Sequence, residues 1–332
     1  MRPLFRDLKT APIVQQAAAR LVGHTLAVRG ARLLHPRCGV ILAYHDAPPE
    51  IVEAHLDVIA RVFRIASMDE VADRLQRDGD CAGLAAVTFD DGFERAIVGA
   101  VALVRSRGWP MTFYLPTRWV DGGMAYWFTR LVDLLATAPS TPVGRFGRTW
   151  RLDLPEERIA FQAQVGERLT RVAAHAADSF LDELEAETSR GRPHVPPSAA
   201  PAAAGTRAVT WAQVKEAALV PGVTFGSHTV THSCLAAIGP ADLESEIVGA
   251  RDAIAARTGR PVRHFCYPYG GMDRIGSRAI EVAGRVHDTA VTLERGLAGP
   301  GSNRLLLPRV AAYPKDSPAV LVAKVVAAYL GQ

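Results

Sequence analysis

Two carboxylates and two imidazoles stand out in this sequence because each pair directly follows a predicted buried strand. Asp90 and Asp91 come after the apolar run 84–87, and His228 and His232 come after the run 223–227. The carboxyl ends of parallel strands meet at one edge of a sheet, where side chains from neighbouring strands converge on a ligand or metal ion. We therefore expect both pairs to face one cavity.

The chemistry available to these four side chains is that of a divalent metal site. Two neutral imidazoles and one carboxylate are a common ligand set for catalytic zinc, with positions left open for water and substrate. Adjacent side chains at a strand end point in different directions, so one aspartate is expected to ligate and the other to work as a base. With Asp91 as the ligand, Asp90 would take a proton from the metal-activated water. The alternatives are hydrogen-bonded structural histidines and an aspartate pair that caps a helix or binds Ca²⁺.

Strands and helices alternate around these residues. Strands are predicted at 39–44, 62–66, 84–87, 111–115, 223–227 and 263–267, and two more in the tail at 286–292 and 306–310. Ser67 and Thr210 are typical N-caps of the helices that follow them, while Gly108 and Gly259 end two others. This alternation favours a parallel sheet or barrel, and 332 residues suit one α/β barrel with an insertion.

Residues 116–208 interrupt the alternation as a predicted helical insertion. They contain no convincing strand, but they offer an aromatic helix at 126–135 and a charged helix at 155–187, followed by a Pro/Ala-rich linker at 189–205. Long insertions at strand ends often form lids or substrate loops. The alternative is a helical buttress that does not contact substrate.

Composition and charge limit the classes of function. The net charge of +4, without a Lys/Arg run interleaved with aromatic residues, gives no support for binding nucleic acid. The four cysteines form no CxxC pair and are expected to be reduced thiols. The sequence has neither a signal peptide nor a spanning helix, so a cytoplasmic location is expected.

The first 37 residues form a predicted basic helical arm. Seven basic residues and a single acid surround the largely apolar segment 13–28. Such an arm is expected either to contact the anionic inner face of a membrane or to pack on the domain as an amphipathic helix.

Three motifs resemble those of the polysaccharide deacetylases, carbohydrate esterase family 4, which share the NodB homology domain. They are Thr88-Phe-Asp-Asp-Gly92, Ser227-His-Thr-Val-Thr-His232 and Phe265-Cys-Tyr-Pro-Tyr-Gly270, in matching order. The resemblance implies a distorted (β/α) barrel of about seven strands within residues 38–332. It also implies metal-dependent removal of an N-acetyl group from an amino sugar in a glycan, a lipid-linked sugar or a sugar precursor.

The resemblance also implies a role for individual residues. Asp90 matches the general base, and Asp91, His228 and His232 match the ligands of a divalent metal, usually zinc. The backbone N–H of Tyr269 falls where the family stabilises the tetrahedral oxyanion, a role that suits an aimed amide donor.

Two positions depart from the family pattern. Cys266 stands where many members have an arginine that orients the base, and Arg309, near the end of a late strand, is our candidate replacement. Many members also have a late Leu-x-His that supplies the general acid, but no histidine follows His287 here. His45 is the first candidate for that acid, with His264 and His287 after it.

Two other functions stay open at this point. A related hydrolysis, deformylation or O-deacetylation of a sugar, would use the same residues. A barrel that binds glycan without catalysis is the alternative from another class.

Overall fold

Strands and helices alternate through most of the chain, as described by a computed structural model for residues 24–122, 125–136, 142–188 and 207–331. The elements before the insertion are α1 (His24–Arg32), β1 (Val40–Tyr44), α2 (Pro49–Ile59), β2 (Arg64–Ala66), α3 (Met68–Arg77), β3 (Leu84–Phe89), α4 (Glu94–Arg107) and β4 (Met111–Leu115). The elements of the insertion are α5 (Thr117–Val120), α6 (Trp127–Ala136), β5 (Val143–Arg145), β6 (Arg148–Trp150), α7 (Pro155–Leu169) and α8 (Ala174–Thr188). The elements after it are α9 (Trp211–Ala217), β7 (Val223–Ser227), a short 3₁₀ helix (Leu235–Ala237), α10 (Pro240–Thr258), β8 (His264–Cys266), α11 (Met272–Ile275), α12 (Ser277–Val286), β9 (Thr289–Val291), β10 (Val310–Ala311) and α13 (Pro318–Tyr329).

The main sheet contains eight strands, all paired in parallel. Seven of them follow the order β10-β1-β3-β4-β7-β8-β9. The eighth, β2, pairs with the first half of β3, and β4 pairs with the second half of β3 on the same side. The segment 307–311 joins the two ends of this order. Leu307 bridges to Val291 next to β9, and Val310 pairs with Leu42 in β1. The predicted distorted (β/α) barrel of about seven strands is confirmed.

The two faces of the barrel strands carry different cores, because successive side chains of a strand point to opposite faces. The outer face stacks a row of aromatic rings from β1, β3, β4 and β7 under the helices, with centroid distances of 5.2, 5.3 and 5.7 Å between Tyr44, Phe89, Phe113 and Phe225. The inner face carries Ile41, Ala86 and Tyr114 together with the polar side chain of Thr88. The barrel interior therefore changes from apolar to polar side chains at the carboxyl end of β3.

Local signals in the sequence explain several helix ends. The Ser67 hydroxyl accepts a hydrogen bond from the Glu70 backbone N–H, and Thr210 forms a complete capping box with Gln213. Gly108 and Gly259 adopt left-handed conformations, with φ of 67° and 66°, at the ends of α4 and α10.

The insertion differs from the prediction in two respects. It contains the antiparallel hairpin β5–β6, where no strand was expected. The charged helix predicted at 155–187 is two helices, α7 and α8, separated by the turn 170–173. Both helices direct apolar side chains, among them Phe161, Val165 and Leu181, into a core within the insertion. Val143 of β5 and Trp150 of β6 belong to the same core.

The N-terminal arm is described only from residue 24. Val28 and Ala31 of α1 are buried, and Arg32 donates a hydrogen bond to the Val62 carbonyl at 3.0 Å while lying over the Phe63 ring. The predicted arm before residue 24 and the predicted linker at 189–205 lie outside the described residues. Among the helices that the structure describes, none has both the length and the apolar composition needed to cross a membrane.

Candidate metal centre and active site

Asp91, His228 and His232 converge at the carboxyl ends of β3 and β7. The Nε2 atoms of His228 and His232 lie 3.5 and 3.4 Å from the same carboxylate oxygen, Asp91 Oδ1. All three side chains are buried, and their potential ligand atoms lie within 4.8 Å of one another. This is an arrangement of two imidazole nitrogens and one carboxylate that fits a divalent cation.

Hydrogen bonds and burial orient the two histidines of this cluster. The Cys266 carbonyl oxygen can only accept a hydrogen bond, so His228 donates to it from Nδ1, 2.7 Å away, and its Nε2 is the ring nitrogen that faces Asp91. Burial lowers the pKa of His232, which favours its neutral form. Burial would raise the pKa of Asp91, but its contacts with His228 and His232 outweigh this effect and lower it well below its ordinary value.

The backbone around these ligands adopts conformations that side chains disfavour. Among the described residues, five residues other than glycine have positive φ, and four of them are Asp91, Thr229, His232 and Tyr269, with φ between 58° and 70°. Such conformations persist only where surrounding contacts hold them, and they cluster at active sites. The strain therefore coincides with the residues that the sequence motifs mark.

Glu246 of α10 holds the loop between the two histidines. Its buried carboxylate accepts hydrogen bonds from the backbone N–H groups of Val230 and Thr231 at 2.9 and 2.8 Å, and from the Thr231 hydroxyl at 2.6 Å. The sequence analysis missed this residue. The signal was available, because Glu246 lies on the same face of the predicted helix as Leu243, Ile247 and Ala250, where a charged side chain needs a buried partner.

Asp90 faces Arg309 inside the barrel. Arg309 Nη1 and Nη2 donate to the two carboxylate oxygens at 2.8 and 2.7 Å, and both side chains are almost fully buried. Burial would raise the pKa of Asp90, but the Arg309 guanidinium outweighs that effect and keeps it below its ordinary value. Asp90 is thus an ionised carboxylate close to the metal ligands.

Arg309 is itself held by groups on β3, on β8 and directly after β9. It donates to the Thr292 carbonyl at 2.8 Å and to the Thr88 hydroxyl at 3.0 Å, and its Nη2 lies 3.2 Å from the Cys266 sulfur. Cys266 is the position at which the third motif departs from the pattern of the polysaccharide deacetylases that it resembles. Its small side chain leaves room for a guanidinium from Arg309, directly before β10, in place of one from β8.

His45, at the carboxyl end of β1, is the histidine on the open side of Asp90. Its Nε2 lies 3.7 Å from Asp90 Oδ2, and about a third of its side chain is exposed. The other two candidates for the acid have different partners. His264 contacts Thr289 and Asp69 at the amino ends of the strands, and His287 contacts Ser227. Neither of these contacts places an imidazole beside Asp90.

Tyr269 lies in the tight turn after β8. The turn is closed by a hydrogen bond from the Gly270 N–H to the Tyr267 carbonyl at 3.1 Å, and a Cβ at Gly270 would lie 2.4 Å from the Leu293 nitrogen. The Tyr269 ring meets the His232 ring edge to face, at 4.8 Å between centroids. The third motif therefore packs directly on a metal ligand.

The insertion supplies the opposite wall of the site. A small open cleft is lined by residues of the barrel and of the insertion: Arg118, Ala125, Tyr126, Trp127, Ala174, Ala177, Asp178, Thr231, His232 and Tyr269. The backbone of α8 is attached nearby, because the Ala174 N–H donates to Ser233 Oγ at 3.0 Å. The cleft leads to the imidazole of His232.

Known proteins share both this fold and part of this sequence. Residues 181–285 match the polysaccharide deacetylase family. The structure of the Streptococcus pyogenes deacetylase PplD in complex with acetate superposes with a TM-score of 0.57 and 17% identity, covering 87% of this chain and 99% of that one. The predicted resemblance to the polysaccharide deacetylases is confirmed.

Two further deacetylase structures show the same likeness. IcaB from Ammonifex degensii has a TM-score of 0.52 at 17% identity and covers 86% of this chain and 96% of its own. The BpsB deacetylase domain from Bordetella bronchiseptica has a TM-score of 0.52 at 14% identity and covers 84% and 97%. No curated protein sequence matches the chain.

The family match and the fold cover different parts of the candidate site. The matched residues include His228, His232 and Tyr269, whereas Asp90, Asp91 and Arg309 lie outside them. The barrel brings the two groups together at one end. The polysaccharide deacetylase motifs thus form one cluster in space, although more than 130 residues separate the first motif from the second.

Proposed function

We propose that this chain is a metal-dependent hydrolase that removes the N-acetyl group from an amino sugar in a glycan. The observation that carries the proposal is the geometry of Asp90 and Asp91. One of these adjacent carboxylates faces His228 and His232, while the other is held as an anion by Arg309 at the same end of the barrel. Hydrolysis by a metal-activated water requires both roles, a carboxylate that helps to hold the cation and a second one that accepts a proton beside it.

Asp91, His228 and His232 would hold the cation, which we propose to be zinc because the donor set is two imidazoles and one carboxylate. When bound, zinc makes a water nucleophilic near neutral pH and polarises a carbonyl oxygen. Asp90 accepts the proton of the attacking water, and Arg309 keeps its carboxylate charged and oriented. The Tyr269 backbone N–H donates to the oxyanion.

The reaction ends with proton transfer to the leaving nitrogen. Attack of water forms a bond from its oxygen to the acetyl carbon, and the bond from that carbon to the sugar nitrogen breaks. His45 is the proposed donor of the proton to that nitrogen, because it lies within 3.7 Å of Asp90 and reaches the open side of the site. The products are acetate and the free amino sugar.

Acetate release tests this proposal directly. The purified protein is supplied with zinc and offered N-acetylated sugar nucleotides, lipid-linked sugars and chito-oligosaccharides. We expect acetate from at least one class, loss of activity with a chelator, and recovery on adding zinc. Asp90→Asn is expected to lower kcat on the order of 1,000-fold with an unchanged zinc content, and near-normal turnover by this variant would remove Asp90 as the base.

The same panel separates the alternative functions. Formate or O-linked acetate released in preference to N-linked acetate would assign a deformylase or an O-acetyl esterase. Glycan binding without any released acid would assign a binding barrel without catalysis. The ion pair of Asp90 with Arg309 favours catalysis, because a site that only binds glycan has no need of a buried base beside metal ligands.

The location of the substrate is proposed from α1. Leu26 of α1 and Leu33 and Leu34 directly after it are 70%, 79% and 60% exposed, and Arg29 of α1 is exposed among them. Leucines with interspersed arginines suit the anionic inner face of a membrane, where a lipid-linked sugar would be presented to a cytoplasmic enzyme.

Vesicle sedimentation tests this location. The full chain is expected to sediment with vesicles containing anionic phospholipid and to stay in solution with neutral ones. The variant Leu33→Ser with Leu34→Ser is expected to sediment less. Equal partition of the wild-type protein in both mixtures, or activity confined to water-soluble sugars, would contradict the membrane assignment.

A further inference from the structure

The start of the insertion contacts two residues of the candidate site, Asp91 and Tyr269, that lie far apart in the sequence. The Tyr126 hydroxyl donates to the Asp91 backbone carbonyl at 2.7 Å, and Trp127 Nε1 donates to the Tyr269 hydroxyl at 2.9 Å. Tyr126 is 1% exposed, and its ring also meets the His232 ring edge to face at 5.3 Å. Two consecutive aromatic residues of the insertion thus contact three parts of the site: the proposed metal ligands Asp91 and His232, and Tyr269 of the third motif.

Both hydrogen bonds end on residues with positive φ. Asp91 has a φ of 70° and Tyr269 a φ of 62°, and side chains disfavour both conformations unless neighbouring contacts hold them. Asp91 lies just after β3 and Tyr269 just after β8, in loops that leave the barrel strands. Tyr126 and Trp127 reach these loops from the insertion and donate one hydrogen bond to each residue.

The insertion can hold these side chains firmly because it has its own core. Trp127 packs against the insertion core around Leu131 and Phe161. Tyr126 stacks on Phe128 at 4.7 Å and lies 4.8 Å from Trp119. Arg130, one turn after Tyr126 and Trp127, pairs with Asp182 of α8 at 2.7 Å.

We propose that Tyr126 and Trp127 are positioning residues through which the insertion sets the site. Tyr126 fixes the backbone of Asp91 and so the direction of its carboxylate, while Trp127 fixes Tyr269 and so the direction of its backbone N–H. The second half of this inference rests on the proposed function, since it assigns that N–H to the oxyanion. The insertion is therefore part of the active site rather than a buttress or a detached lid.

The affinity for Zn²⁺ tests the role of Tyr126 without any substrate. Tyr126→Phe removes the hydroxyl and keeps the ring, and it is expected to weaken Zn²⁺ binding about tenfold in competition with a chelator, as is usual for groups that orient metal ligands. Trp150→Phe is the matched control. This change also removes a hydrogen bond within the insertion that an indole N–H donates, from Trp150 Nε1 to the Arg145 carbonyl at 3.0 Å. That hydrogen bond involves no residue of the barrel site.

Amide hydrogen exchange and steady-state kinetics test the role of Trp127. Trp127→Phe is expected to speed exchange in the segment 266–271 and to lower kcat about fivefold to tenfold with little change in KM, because one hydrogen bond to a positioning group is lost. Tyr269→Phe removes the other partner of this hydrogen bond and is expected to have the same effect. The double variant is expected to be no worse than either single one.

The outcomes distinguish this inference from the proposed function. Unchanged Zn²⁺ affinity in Tyr126→Phe together with unchanged exchange in Trp127→Phe would overturn the positioning role, whatever the catalytic results. Equal effects from Trp150→Phe would also overturn it, because they would reflect a general loosening of the insertion. A wild-type protein that releases no acetate would refute the proposed function, while the affinity and exchange measurements would still decide the role of Tyr126 and Trp127.

Discussion

At the scale of single residues, the geometry gives Asp90 and Asp91 different surroundings. Asp91 meets two imidazoles, and Asp90 meets a guanidinium that is fully buried. Motif spacing in the sequence was sufficient to predict the first set. It was not sufficient to establish the second, because the contact between Arg309 and Asp90 spans 219 residues and depends on how the barrel closes.

Arg309→Met is expected to shift the acidic side of the pH profile. Burial raises the pKa of Asp90 and the Arg309 guanidinium lowers it, so the pKa rises when the guanidinium is removed. The active form is the carboxylate, and activity is therefore lost at a higher pH as the pH falls. We expect the acidic limb of kcat/KM to move upward and kcat/KM at pH 7 to fall about 100-fold, with a loss of unfolding free energy of about 3–5 kcal/mol.

Arg263→Met is the control for this shift. Arg263 pairs with Asp69 and Asp73 at the amino ends of the strands, far along the barrel from Asp90. This change is expected to reduce stability and leave the acidic limb in place. An identical shift in both variants would argue that the profile reports unfolding.

His45→Gln is expected to lower kcat about 100-fold while the zinc content stays constant, because the leaving nitrogen loses its proton donor. His175→Gln, at an exposed histidine of α8, is the matched control and is expected to behave as wild type. A substrate with a better leaving group should recover much of the lost activity of His45→Gln. Equal losses on good and poor leaving groups would contradict the role of His45 as the acid.

At the scale of elements, α10 and the insertion position the site from two sides. The strand and helix alternation, the caps at Ser67 and Thr210 and the glycines at helix ends followed from local patterns, since each depends on a few neighbouring residues. The hairpin β5–β6 and the break between α7 and α8 did not. The strands of this hairpin are three residues long, too short for a periodic pattern to distinguish them from a loop.

Glu246→Gln is expected to weaken both stability and zinc binding. The Glu246 carboxylate accepts three hydrogen bonds from the loop that carries His232, and a glutamine would place an amide N–H against one of those donors. We expect a loss of unfolding free energy of about 1.5–3 kcal/mol and zinc affinity lowered about tenfold. Chemical denaturation and chelator competition measure the two effects.

Glu244→Gln provides the comparison on the same helix. Glu244 is exposed and pairs with the exposed Arg285, so its change is expected to alter the unfolding free energy by less than about 0.5 kcal/mol. If the two variants lose equal zinc affinity, the helix as a whole rather than the buried carboxylate supports the loop.

At the scale of the whole molecule, one buried histidine outside the proposed metal ligands makes stability depend on pH. Burial lowers the pKa of His287 to about 4. The unfolded chain has a pKa near 6.5 at this residue, so between about pH 6.5 and 4 the unfolded state binds a proton that the folded state does not. Stability therefore falls as the pH falls through this window.

The change His287→Gln is expected to remove this dependence. From pH 7.5 to 5, the free energy of unfolding of the wild-type protein should fall by about 2 kcal/mol more than that of His287→Gln, as follows from the two pKa values. Urea denaturation of both proteins with a chelator present measures the difference without a contribution from bound metal. Parallel pH dependences would show that another group is responsible.

The closure of the barrel by residues 307–311 has a consequence for the order of folding. Asp90 is buried, but its countercharge is supplied by Arg309, which lies 219 residues later in the chain. During synthesis, β1, β3 and β4 emerge long before Arg309 does, and an uncompensated carboxylate opposes burial of their inner face. The nascent barrel should thus stay open around Asp90 until its last strand has been made, so that the base is enclosed and oriented in one late event.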